Sequence, residues 1–119
     1  MAKQPSRPGR GKASNTAIGR RGERAVGRVY RERGAEVAYS PGSRGPYDML
    51  VAQERGALLA VQVKATENAT RESLSIGADE ARRLKREAAR IGARPVFIAR
   101  FADGEQIVTY LDSGRRFVR

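Results

Sequence analysis

Between positions 16 and 33 apolar residues recur at helical spacing. Ile18, Gly22, Ala25, Val26, Val29 and Tyr30 share one side, and Arg20, Arg24, Arg28 and Arg31 share the other. Asn15 or Thr16 can cap the start and Gly34 stops the run, so the pattern predicts a helix ending near Arg33. Glu23 projects to the margin of the apolar stripe, near Gly19 and Tyr30, neither plainly solvated nor fully buried. Ala35–Tyr39, Tyr47–Gln53 and the strongly apolar Ala57–Ala65 then read as three strands. The first two are separated by the turn-rich loop Ser40–Pro46, the last two by a hairpin turn at Gln53–Gly56. Residues 66–77 are polar and predict a loop. Asp79 and Glu80 open a second helix, where acids suit the positive end of the macrodipole, and it runs to about Ile91 before Gly92. Arg94–Phe101 and Gln106–Leu111 predict two more strands about an Asp103-Gly104 turn.

The order α-β-β-β-α-β-β implies an α/β fold with a mixed five-stranded sheet flanked by helices. Its 119 residues have room for one modest core, in a domain over 16–119. Residues 1–15 hold Pro, Gly, Ser and basic side chains with almost nothing apolar, and predict a disordered basic arm. No run approaches the roughly 20 apolar residues of a membrane span. The start lacks the apolar core of a secretory signal, so the expected location is the cytoplasm, with the nucleoid, or a host's cytoplasm for a viral gene.

Charge sharpens the picture. The net charge is +11, and residues 1–34 carry ten Lys or Arg against Glu23 and Glu32. A concentrated basic region is the footprint of a polyanion partner, most commonly nucleic acid. An anionic membrane is the competing reading, but the helical segments lack the bulky apolar face it requires. Arg outnumbers Lys 20 to 4, which suits bidentate phosphate contacts and equally suits a GC-rich genome.

Cys and His are both absent. That excludes disulfides, thiol nucleophiles, imidazole bases and Cys/His zinc sites, and leaves oxygen ligands for any metal, which favours a hard cation such as Mg²⁺. Within Leu58–Lys64, Gln62 and Lys64 fall on one face and Val61 and Val63 on the other. Lys64 either snorkels from the strand end into water or faces an anion. Asp48 opens the preceding strand, and the hairpin can bring it beside Gln62 and Lys64; alone, it could simply cap the turn.

The spacing Pro46-Tyr47-Asp48, then Gln62-Val63-Lys64, resembles the PD-(D/E)xK nucleases. Gly22-Glu23-Arg24 on a preceding helix, the Ser40-Pro-Gly-Ser43 loop and Val-Lys-Ala-Thr after the motif resemble the archaeal-type Holliday junction resolvases, a likeness spanning residues 18–110. It implies a restriction-endonuclease-like fold and a homodimer that nicks four-way DNA junctions symmetrically, in recombination and repair. Mg²⁺, or Mn²⁺ in its place, would be the cofactor. Glu23, Asp48, Gln62 and Lys64 would form the active site, with the Val63 carbonyl completing the metal shell. Arg20, Arg24, Ser40, Ser43 and Arg44 would touch DNA phosphates.

Two positions depart from the family pattern. Gln62 stands where an acid is usual, and Tyr39 where relatives often carry a basic residue. A general nuclease of the same fold and a catalytically impaired junction binder are the alternatives. Val96, Phe97, Ile98, Phe101, Ile107, Val108, Tyr110, Phe117 and Val118 could serve a core, a dimer interface or both.

Overall fold

The computed structural model describes residues 15–40, 45–66 and 74–119. The basic arm, apart from Asn15, lies outside the described residues, as do Ser43 and Arg44 of the turn loop.

Helix α1 (Asn15–Glu32) precedes strands β1 (Glu36–Tyr39), β2 (Met49–Ala52) and β3 (Leu58–Ala65). Helix α2 (Ala78–Arg90) follows, then β4 (Ala93–Arg100), β5 (Gln106–Tyr110) and β6 (Arg116–Val118). The strands form one sheet in chain order. Every neighbouring pair is antiparallel except β3 and β4, which run parallel because α2 carries the chain back between them. The mixed sheet with flanking helices is therefore as expected, with six strands in place of five. The extra strand is β6, which pairs Val108 with Phe117 and Ile107 with Val118. Three residues flanked by arginines carry too little alternation to read as a strand. What holds β6 is tertiary: Phe117 stacks near Tyr110, and the Arg119 N–H donates to the Gln106 carbonyl at 2.8 Å.

Alternation along the strands builds two faces. Met49, Val51, Leu59, Val61, Val96, Ile98 and Val108 pack against Val26 and Tyr30 of α1. On the other face, Ala60 and Ala93 meet Leu84 and Ala88 of α2. Phe97, Ala99, Phe101 and Ile107 extend that second layer. Most of the apolar residues near the chain end are thus core, while Val118 stays 55% exposed. No helix among the described residues is long and apolar enough to cross a membrane.

Helix α1 lies unusually close to β3 at Gly22. A Cβ there would sit 2.5 Å from the Ala65 Cβ and 3.8 Å from Val63 Cγ1. This contact sets the height of the adjacent Glu23 over the end of β3. In an open helix position Gly→Ala stabilises by about 0.5–1 kcal/mol; here overpacking should outweigh that, for a net loss of about 1–2 kcal/mol in urea denaturation. Placed on an Ala65→Gly background, Gly22→Ala should instead stabilise. The same sign on both backgrounds would show that this contact does not set the packing.

Candidate active site

Asp48 sits at the lip of the sheet, one residue before β2, and the backbone clamps it on both sides. Its N–H donates to the Val61 carbonyl and its carbonyl accepts from the Ser40 N–H, each at 2.8 Å. Its Oδ2 accepts the Val63 N–H at 2.7 Å. The carboxyl is half-buried, and burial pushes its pKa up to about 6; the Val63 N–H opposes this, and the charge of Glu23 adds to it. Glu23, half-buried on α1, is thus electrostatically coupled to Asp48 across the end of β3.

Gln62 and Lys64 project from β3 toward α2, alternating with Val61 and Val63, which pack in the α1 layer. Both meet one carboxylate, that of Glu80 in the first turn of α2. Gln62 Nε2 donates to Glu80 Oε2 at 3.2 Å, and Lys64 Nζ donates to Glu80 Oε1 at 3.0 Å. Lys64 also donates to the Ser75 carbonyl at 3.3 Å. The Gly77 N–H donates to Glu80 Oε1 at 3.2 Å, so the same carboxylate caps the helix. Above all the Lys64 hydrogen bond, with those from Gly77 and Gln62, holds the Glu80 carboxyl below the usual range. Lys64 thus faces an anion at the strand end while a third of its side chain stays exposed to solvent.

Two groups of polar side chains therefore flank a single stretch of β3. Asp48 is coupled to Glu23 and held by the Val63 N–H, while Gln62 and Lys64 meet Glu80. Among the described residues no hydrogen bond joins Asp48 to Gln62 or Lys64, so the hairpin brings them to one strand end without direct contact. Among the described residues no group of three or more acids is placed to hold a metal. Two coupled carboxylates with oxygen-bearing neighbours still suit Mg²⁺, which commonly takes one or two carboxylates and keeps water and phosphate as its other ligands. A cation bound there would offset both the burial of Asp48 and its repulsion from Glu23.

Residues 14–115 match the family described as archaeal Holliday junction resolvase (Hjc). The chain belongs to the archaeal Holliday junction resolvase family. Among solved structures, that of Hjc from Archaeoglobus fulgidus, a Holliday junction resolvase from an archaeal hyperthermophile, is similar with a TM-score of 0.65 at 20% identity, covering 85% of this chain and 82% of that one. A bacterial homing endonuclease is similar at 0.59 and 15% identity, covering 90% of this chain and 78% of its own. At such identities these likenesses show the shared fold. No curated protein sequence matches.

In this Holliday junction resolvase family member, α1 sets two arginines against Tyr39, the position that departs from the family pattern. The Arg24 and Arg31 guanidinium groups lie 5.0 and 5.5 Å from the centre of its ring. Gly27, between them on the same helix side, leaves the gap into which the Tyr39 hydroxyl projects. Two cations thus stand beside the strand that leads to Ser40. Arg20 and Arg24 are exposed, and Ser40 is half-buried opposite Asp48. Glu80 is the residue that sequence reasoning valued as a helix-end charge alone. One signal could have found it: a helix that links two parallel strands starts near the end of the sheet where the first strand finishes, here at Ala65 beside Lys64.

Proposed function

We propose that the chain is a Mg²⁺-dependent endonuclease that resolves four-way DNA junctions by paired, symmetric nicks as a homodimer. What supports this most is the joint at Asp48 and Val63, where a coupled pair of acids and a paired lysine flank one strand end in a chain of the resolvase family.

Phosphodiester hydrolysis forms a bond from a water oxygen to phosphorus and breaks the bond to the leaving oxygen, which then takes up a proton. Bound Mg²⁺ supplies positive charge at the phosphate oxygens and lowers the pKa of water. Glu23 and Asp48 would hold it, with the Gln62 amide oxygen and the Val63 carbonyl. Lys64 orients the attacking water or places its charge against the phosphoryl group as charge develops. Arg20, Arg24, Ser40, Ser43 and Arg44 fix the DNA backbone. A two-fold axis relating two such sites gives the symmetric pair of cuts.

The test is cleavage of a synthetic four-way junction beside a linear duplex of the same sequence. Junction-selective nicks in Mg²⁺ or Mn²⁺, absent in EDTA, are expected. Equal cutting of both substrates would make the chain a general nuclease. Binding without nicks at any concentration of either metal would make it a junction binder whose cation site is impaired at Gln62. Raising salt from 50 to 200 mM should weaken junction binding by about 1000-fold or more, because each phosphate contact releases counterions. A flat response would remove the phosphate-contact reading.

A further inference from the structure

The Glu80 carboxylate touches both defining positions of the acid-x-Lys motif, Gln62 and Lys64. We infer that Glu80 is a positioning residue that replaces, from helix α2, the negative charge missing at position 62. This inference rests on the nuclease reading above.

Two geometric consequences support it. A carboxylate accepts hydrogen bonds and donates none, so the contact with Gln62 Nε2 fixes which way the amide faces. The Gln62 oxygen is turned away from Glu80 and left available to a cation. The other Glu80 oxygen holds the Lys64 ammonium, with the Ser75 carbonyl as its second acceptor. One carboxylate thus sets the orientation of a neutral ligand and the position of a cation two residues further along β3. The Gly77 N–H in turn fixes Glu80, so the start of α2 braces the group. In a motif with an acid at position 62, that acid would carry the charge itself; here it stands one side chain further out.

The charge and the cap can be separated. Glu80→Gln keeps an oxygen for the Gly77 N–H and for Lys64 but removes the charge and the unique orientation of Gln62. Gln62→Glu combined with Glu80→Gln exchanges the two groups and keeps an amide-to-carboxylate hydrogen bond between them. Two readouts are needed: Mn²⁺ affinity of the DNA-free protein by calorimetry, and single-turnover junction cleavage. Glu80→Gln should lose about 10- to 100-fold in both, the range found when a partner that orients a metal ligand is removed. Metal-free junction binding should stay within about twofold, showing a folded protein with an intact DNA surface. The exchanged double variant should return to within about fivefold of wild type in both. The inference is overturned if Glu80→Gln leaves Mn²⁺ affinity unchanged, or if it loses affinity and the folded double variant fails to recover it. A wild type that binds Mn²⁺ without cutting junctions would sink the nuclease reading, while the affinity comparison still decides the role of Glu80.

Discussion

Asp48→Asn should stop junction cleavage, by at least about 1000-fold, and at neutral pH should make the metal-free protein more stable. The first effect follows from removing a charge at the proposed cation site, where preorganised charges are worth several kcal/mol in the transition state. The second follows from what the fold does to this carboxyl. The substituted amide keeps an oxygen to accept the Val63 N–H and loses the charge that burial and Glu23 both penalise.

The sign of the pH dependence is fixed by the direction of the shift. The Asp48 pKa rises from an ordinary 3.8 to about 6 on folding, so between these values the folded chain holds a proton that the unfolded chain has lost. Its contribution to stability is therefore greatest below pH 4, declines as pH rises to 6, and is flat above. At 1.36 kcal/mol per pKa unit, reduced for partial exposure, the loss is about 1–3 kcal/mol. Urea denaturation in EDTA should show Asp48→Asn ahead of wild type by that amount at pH 7 and by little at pH 4. Adding Mg²⁺ at pH 7 should raise the melting temperature of wild type and leave the variant unmoved. A variant less stable than wild type at pH 7 would mean that Asp48 is a structural turn residue and that its burial is not a strain a cation relieves.

How much of this could be read from the chain depended on where the information lies. The period of α1 placed Val26 and Tyr30 in the core and Arg20, Arg24, Arg28 and Arg31 outside, because one helix face alone determines that split. Alternation in β3 separated Gln62 and Lys64 from Val61 and Val63 for the same local reason. Glu23 at the margin of the stripe came out half-buried, as its angular position required. What escaped was non-local. Strand β6 exists because β5 offers it an edge, and nothing in Arg116-Phe117-Val118 announces a partner. Gly22 fell in the apolar stripe, yet nothing local says that it admits Ala65 of β3 or that Gly27 admits the Tyr39 ring. Glu80 served the macrodipole argument equally well whether or not it touched Lys64. In each case the deciding contact joins residues distant in sequence, and pattern within a window has no term for it.

Lys64 allows the sharpest separation of chemistry from structure. Lys64→Met keeps most of the aliphatic stem and removes the ammonium, and cleavage should fall by about 100- to 1000-fold, the range for losing one preorganised charge at a reacting phosphate. Stability should barely move. The Lys64 and Glu80 side chains are 33% and 47% exposed, and exposed pairs contribute about 0–1 kcal/mol. A structural lysine would give the reverse, with a lower denaturation midpoint and slower cutting in proportion to the unfolded fraction. Metal affinity adds a third, independent sign. Removing the positive charge that pairs with Glu80 leaves this carboxylate unneutralised at the same strand end, so Mn²⁺ should bind the DNA-free variant about two- to fivefold more tightly even as cleavage is lost. Asp48→Asn should lose cleavage and metal together; Lys64→Met should lose cleavage and gain metal. Weaker Mn²⁺ binding by Lys64→Met would show that the ammonium holds the ligand geometry together and does not stand against the phosphate.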